Sequence, residues 1–332
     1  GIWYEWKKEN GETCVVATMD GLVGEIIDNF KALGWKPTKS CTTPGFPGKP
    51  LTKNETEEIL MQEEYRSLVG KLMYLTTKMF AECANATREL SKHFSNPATE
   101  HWLALARVIS YLETVRKNIK LTYRKPKELR PVSEIDSNYA VNPDDRRSIT
   151  GALHTIGGCV VNWMSKTQAS VTLSSTEAEY VALSMAAQET KFLQMLLDEI
   201  GKGERPAYIY EDNQGAIFLV KNQQVGPRTK HISVRHHWLR EQCDKGNLRI
   251  LWKNGEDNRA DIFTKNTPEK IHQKHAEDIR EGRVTYTDQK DKDVNTVQVA
   301  VQAERREGVV SSATATTSVT SSVRPTVSQW TC

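Results

Sequence analysis

Residues 173–183, "LSSTEAEYVAL", decide how the chain is read. Ser174 with Glu177 fits one Ser/Thr-x-x-Glu capping box, and Thr176 with Glu179 fits a second. A helix has one start, so only one box can be used. If Ser174 caps, Glu177 closes the box and Glu179 is free to turn toward whatever the helix packs on. If Thr176 caps, Glu179 is consumed by the box. Either way a long helix runs over roughly 175–200 and is closed by Gly201.

On the amino-terminal side, "VSEIDSNYA", "GALHTIGG" and "CVVNWMSKTQASVTL" read as strands parted by Pro-Asp-Asp and Gly-Gly turns. Past the helix come a strand ("PAYIYEDN"), a short helix ("QGAIFLVKN") and a basic helix ("TKHISVRHHWLREQCDKG"). A strand ("NLRILWK") and a last short helix ("DNRADIFTKN") follow. Three strands, helix, strand, helices, strand, helix predicts an α/β domain over 131–266, a mixed sheet with helices packed against it.

The flanks differ in texture. Residues 55–130 are helical, with Tyr65, Leu68, Leu72 and Leu75 on one stripe. Trp102, Leu105, Val108 or Ile109, and Leu112 form another, started near Pro97 with Ser95 or Thr99 as its cap. Residues 1–54 read as short apolar fragments ending in the linker-like "TKSCTTPGFPGKPL". Residues 267–332 are charged, then so rich in Ser and Thr (12 of the last 22) that a disordered tail is expected.

The balance of 45 basic and 42 acidic residues, net +3, excludes a global polyanion-binding charge and confines nucleic-acid contact to local patches. Six cysteines at 14, 41, 83, 159, 243 and 332 form no C-x-x-C pair, which argues against a zinc knuckle or disulfide scaffold and suits a reducing compartment. No apolar run approaches the roughly 20 residues of a membrane span. The opening "GIWYEWKKEN" has neither an initiator Met nor a signal-peptide pattern, so the expectation is an intracellular piece of a larger protein with no membrane partner.

Four acids sit at telling places. Asp136 lies inside a strand, Glu179 in the first turn of the long helix, Asp212 at a strand end, and Asp261 at the start of the last helical unit. An acid among apolar strand residues is costly unless exposed, paired or holding a cation. Four converging carboxylates would repel one another, and an all-oxygen set favours Mg²⁺ or Mn²⁺ over zinc. Two ions roughly 4 Å apart can hold both oxygens of an in-line phosphodiester displacement. Each acid taken alone reads equally well as a solvated surface residue.

"DSNYAVNPDDRRSITG", "LSSTEAEYVAL", "YEDNQGAI", "RTKHISVRHHWLREQ" and "NRADIFTK" resemble, in identity and order, the ribonuclease H domain of copia-type LTR retrotransposon polyproteins. The upstream "YRSLVGKLMYLTTKM" and "ATRELSKHFSNPATEHWLALARVISYL" resemble the thumb and connection region of the reverse transcriptase before it, so the likeness covers about 40–266. The resemblance implies an RNase H-like five-stranded sheet over 131–266, a small helical thumb and connection region over 55–130, and a palm remnant within 1–54. It implies that Asp136, Glu179, Asp212 and Asp261 are the catalytic metal ligands, with two Mg²⁺ as cofactor and Mn²⁺ as the alternative. The implied activity is cleavage of the RNA strand of an RNA–DNA hybrid duplex, in a cytoplasmic retrotransposon particle or the nucleus.

Expected nucleic-acid contacts are the basic run with Arg228, Lys230, His231, Arg235 and Arg240, the turn residues Arg146 and Arg147, and Asn213 with Gln214 beside Asp212. Each has a plainer reading: a solvated helix face, a salt-bridged loop, and a helix cap at Asn213. Departures matter too. No Tyr-x-Asp-Asp occurs, so the polymerase half is missing and no DNA synthesis is expected. "WKNGEDNRAD" lacks the mobile His that some ribonucleases H use near the last Asp, leaving Glu256 or Lys253 to serve product release. The helix "YRSLVGKLMYL" is expected to be available for self-association. The competing functions are a catalytically silent nucleic-acid-binding remnant and another nuclease or integrase of the same fold class, which would use three acids.

Overall fold

The computed structural model describes residues 1–9, 11–37, 40–221 and 233–286. Strands Trp3–Glu9 (β1) and Glu12–Thr18 (β2) form an antiparallel hairpin, and β2 pairs on its other side with Leu121–Arg124 (β3). The first 54 residues, expected as short fragments, thus supply two strands of a three-stranded sheet. Cys14 and Val16 point inward at period two, a signal shortened by the turn at Gly11.

Helices Asp20–Ala32 (α1), Gln62–Lys78 (α2), Ala84–Ser91 (α3) and Thr99–Val115 (α4) follow. Both expected stripes are buried: Tyr65, Leu68, Leu72 and Leu75 on α2, and Trp102, Leu105, Val108, Ile109 and Leu112 on α4. The α2 stripe is therefore covered within the chain, leaving Met73 and Tyr74 as its exposed apolar residues. Neither Ser95 nor Thr99 caps α4. Its N-cap is Ala98, whose N–H is accepted by His101 Nδ1 at 2.9 Å, while His101 Nε2 donates to the Thr52 carbonyl at 2.8 Å.

Strands Pro131–Asn138 (β4), Ile149–Ile156 (β5), Cys159–Thr167 (β6), Ala207–Glu211 (β7) and Leu248–Trp252 (β8) form the second sheet in the order β6-β5-β4-β7-β8. Pairs β4–β5 and β5–β6 are antiparallel; β4–β7 and β7–β8 are parallel. This is the RNase H-like mixed sheet, with its central strand β4 buried from Pro131 to Asp136. Helix Ser175–Glu199 (α5) lays Ala182, Leu183, Ala186 and Ala187 over one face, against Ile135, Ala207 and Ile209. Helices Gln214–Lys221 (α6) and Ser233–Asp244 (α7) follow, and Ala216, Ile217, Val220 and Leu239 complete that core. No helix among the described residues is long and apolar enough to cross a membrane. The described cysteines are all free thiols.

The opposite face of β4 carries Val132, Glu134 and Asp136, and there the chain returns as the short helix Asp261–Thr264 (α8). Gly151, paired with Asp136 across β4–β5, permits that return. A Cβ on it would meet Thr264 Cγ2 at 2.6 Å and the Ala260 carbonyl at 2.8 Å.

The chain remains folded past Asn266, where a tail was expected from 267. Helix Glu269–Glu281 (α9) buries His272, His275, Ala276 and Ile279, and Gly1–Thr285 form one compact unit. Its charge-rich sequence hid a buried face with only two apolar residues, Ala276 and Ile279, beside two histidines. Arg280 donates to the buried Glu82 carboxylate and, at 2.9 Å, to the Tyr111 hydroxyl. The expected tail from residue 287 onward lies outside the described residues.

Arg280→Met leaves Glu82 buried and unpaired, at an expected cost of about 3–5 kcal/mol in urea unfolding. The double variant Glu82→Met, Arg280→Met should recover most of that loss, because replacing both buried charges removes the uncompensated one.

Candidate metal centre

Ser174 caps α5: its hydroxyl accepts the Glu177 N–H at 3.1 Å, and Glu177 Oε2 accepts the Leu173 N–H at 2.8 Å. Glu179 is thereby released from capping, is 7% exposed, and turns toward the sheet. Asp136 stands near the end of β4 and is 4% exposed. Asp212 follows the last residue of β7, and Asp261 is the first residue of α8.

These placements bring carboxylates together in two groups that share Asp212. Asp136, Asp212 and Asp261 offer oxygens within 4.8 Å of one another, and so do Glu179, Glu211 and Asp212. All four sequence-predicted acids are therefore in one cluster, and a fifth, Glu211, joins them. The signal for Glu211 was available: along β7 the inward phase is Ala207, Ile209, Glu211, so period two puts an acid where the core expects an apolar residue.

Burial dominates the electrostatics. It pushes the Asp136 carboxyl up to about 7, with Asp261 adding to the rise. Burial, followed by Glu211, Asp136 and Asp212, pushes Glu179 up to about 10. Glu211 is held well above the usual carboxylate range, again first by burial, and Asp212 and Asp261 are raised for the same first reason. Burial by itself would lower Lys265, but Asp136 and Asp261 outweigh it and hold the ammonium above the ordinary lysine range. Lys265 Nζ lies 2.9 Å from Asp261 Oδ1.

A second set of side chains fixes the cluster. Thr264 Oγ1 donates to Asp136 Oδ2. Asn258 Nδ2 donates to the Ile135 carbonyl at 2.6 Å, pinning the 258–261 loop to β4. Glu134, wholly buried, accepts the Arg259 N–H and Nη1 at 2.7 Å each and Lys253 Nζ at 2.8 Å. Lys253, expected as a product-release group, is thus engaged with Glu134, whereas Glu256 is exposed. Thr264, Asn258 and the Glu134–Arg259 pair escaped the sequence reading because hydrogen-bonding neighbours have no spacing rule across 120 residues of chain.

The expected nucleic-acid contacts are spread differently. Arg146 and Arg147 are exposed in the β4–β5 turn, Arg146 in the left-handed region at φ 57° and Arg147 with its Nε 3.4 Å from Asp145 Oδ2. Asn213 Oδ1 accepts the Ala216 N–H at 3.0 Å, a helix cap, and Gln214 is exposed beside it. Arg240 Nε donates to the Val220 carbonyl at 3.3 Å, tying α7 to α6. Arg228, Lys230 and His231 lie outside the described residues, as does the side chain of Arg235.

The donor set fits a hard divalent cation. It is all carboxylate oxygen, and Glu179 Oε2 and Glu211 Oε2 are buried without a hydrogen-bond partner.

No protein-family model matches the chain. It is 37% identical over 252 residues to the retrovirus-related Pol polyprotein from transposon TNT 1-94 of Nicotiana tabacum, a match covering 74% of this chain and 19% of the polyprotein. It is 32% identical over 260 residues to the Pol polyprotein from transposon RE1 of Arabidopsis thaliana, covering 78% of this chain and 18% of that one. The chain thus spans less than a fifth of the length of these relatives. Among solved structures, LC11-RNase H1 in complex with an RNA/DNA hybrid is 17% identical, covering 41% of this chain and 94% of its own, at a TM-score of 0.32.

Carboxyls whose folded-state pKa is raised stabilise the fold most when protonated, so their contribution is full below about 4 and is lost as pH rises. In EDTA the urea midpoint is expected to fall from about pH 4 upward, through about 7 for Asp136 and on toward about 10 for Glu179. Millimolar Mg²⁺ at pH 8 should restore most of that loss.

Proposed function

Pol polyproteins of copia-type retrotransposons are the family to which this chain is related, and we propose that its residues 131–266 act as a ribonuclease H on the RNA strand of RNA–DNA hybrids. The observation that carries this reading is the meeting of Asp136, Asp212 and Asp261 within 4.8 Å, at neighbouring element ends of an RNase H-like sheet, with Glu179 beside them. Asp136, Glu179, Asp212 and Asp261 would hold the metal, with Mg²⁺ the expected ion. Bound there, it would lower the pKa of an attacking water and stabilise the departing 3′ oxygen of the scissile phosphodiester.

The chain's own residues do the positioning. Thr264 fixes one oxygen of Asp136 and leaves the other for a ligand. Lys265, paired with Asp261, offsets part of the rise that burial imposes on Asp136, Asp212 and Asp261. Arg146 and Arg147 are exposed on the turn after β4, where they would meet a phosphate backbone, Arg147 exchanging its exposed pairing with Asp145 for it. No side-chain nucleophile is needed, and Ser174, which could have suggested one, is spent on the helix cap. A catalytically silent remnant is not favoured, because a domain under no demand for chemistry has no reason to keep five carboxylates at such electrostatic cost.

Asp136→Asn and Asp212→Asn are each expected to lower cleavage of a labelled RNA–DNA hybrid by about a hundredfold or more, with circular dichroism unchanged. The gel assay should show Mg²⁺-dependent cutting of the hybrid and none of RNA–RNA or DNA–DNA duplexes. Full-rate cutting by either variant would overturn the assignment. Arg146→Ala with Arg147→Ala should weaken hybrid binding and flatten its salt dependence by about two counterions.

A further inference from the structure

Glu211 is not among the acids that the four-residue pattern assigns. It is completely buried, and it sits on the α5 face of β7 in the same phase as the core residues Ala207 and Ile209. One of its oxygens accepts the Asn213 N–H at 2.9 Å; the other, Oε2, has no partner. Across from it, Glu179 Oε2 is likewise buried and without a partner. Among the described residues neither carboxylate has a Lys or Arg within ion-pair distance, in contrast to Asp261 with Lys265 and Glu134 with Arg259 and Lys253. Glu179, Glu211 and Asp212 nonetheless offer oxygens within 4.8 Å of one another.

Two uncompensated carboxylates under a helix, each with an oxygen lacking any donor, would cost several kcal/mol if ionised and left so. Every other buried acid in the sheet domain is supplied with a cation or a hydroxyl from the protein. Glu211 is supplied with neither and Glu179 with no cation and only the Ser137 hydroxyl beside it, and their open oxygens converge with those of Asp212. We infer that Glu211 is a fifth carboxylate ligand, forming with Glu179 and Asp212 an inner site for a hard divalent cation beneath α5. That site is separate from the outer group of Asp136, Asp212 and Asp261, and the shared Asp212 joins the two. The inference rests on the metal-centred reading of the cluster, and adds a residue and a position to it.

Binding is tested on the full chain freed of metal, by titrating Mn²⁺ and following the free ion by electron paramagnetic resonance. The wild-type chain should bind two Mn²⁺. Glu211→Gln, which keeps shape and hydrogen bonding but removes the charge, should lose one of them or weaken that step at least tenfold. Its metal-free melting temperature should rise, and the further rise on adding Mn²⁺ should shrink. Glu211→Asp, which keeps the charge but withdraws the oxygens by one methylene, should fall between. Asp261→Asn should weaken the other step and leave the Glu211-dependent one in place.

A wild-type isotherm with a single ion, or Glu211→Gln and Glu211→Asp isotherms that superimpose on wild type, overturns the inference. In that case the pair shares protons and needs no cation. Hybrid cleavage is scored separately. Two-ion binding with one step dependent on Glu211, but no hybrid cutting, would sink the nuclease reading alone. Hybrid cutting with Glu211-independent binding would sink this inference alone.

Discussion

The buried pairing of Glu134 with Arg259 is the contact on which the site's geometry depends. Glu134 lies two residues before Asp136 on β4, and Arg259 lies two residues before Asp261. Three hydrogen bonds converge on one carboxylate: two from Arg259, one of them backbone, and one from Lys253. A strand and a loop more than 120 residues apart are thereby held in a single register, and their next acids face each other. A buried ion pair contributes little net stability once desolvation is counted, but a misaligned one is costly. Its effect here is to make any slip of the 258–261 loop along β4 strand a buried charge.

That clamp forces a conflict that the pocket must absorb. Asp136, buried, is brought against the partly buried Asp261, where water screens them poorly, and burial raises both carboxyls. Thr264 and Lys265 relieve the outer group from the protein itself. Glu179 and Glu211 receive no cation from the protein, only the Ser137 hydroxyl and the Asn213 N–H respectively, so the inner part of the pocket is the less stable end of the same cluster. Cations and protons compete for these oxygens, and the folding free energy should follow pH and divalent cation together. A catalytic centre of this kind is assembled against local stability, and the rest of the sheet supplies the difference through α5's alanine-rich face on β4 and β7.

Most of the fold was legible because its signals are local. The order of strands and helices over 131–266 follows from period-two and period-3.6 patterning, and the Ser174 cap decides which glutamate of 173–183 turns inward. Four acids were visible as polar residues, Asp136 inside a strand and Glu179, Asp212 and Asp261 at strand or helix ends, where apolar neighbours make them conspicuous. Glu211 was missed because it adjoins Asp212 and was read as part of the same strand terminus, when its phase along β7 sets it on the core side. The hairpin before Asp20 and the helix after Asn266 were missed for another reason. The hairpin reads as broken apolar fragments and the helix as a charged run, and their burial comes from partners far off in sequence: β2 from β3, and α9 from Glu82 and Tyr111. No window of sequence contains both halves of such a contact.

The placement of α9 joins these points. Asp278 on α9 accepts Arg259 Nε at 2.8 Å, the same guanidinium whose Nη1 holds Glu134. Two residues further on, Arg280 holds Glu82 in the helical region. A single helix, in a segment that composition suggested was a tail, therefore touches both the clamp that registers Asp261 and the region before the sheet. Guanidinium groups are planar, with donors in a fixed fork, so fixing one edge of Arg259 with Asp278 restricts the plane in which the other edge meets Glu134. The folded domain must then extend past the last acid of the cluster, because the residue that orients that acid is itself oriented from α9.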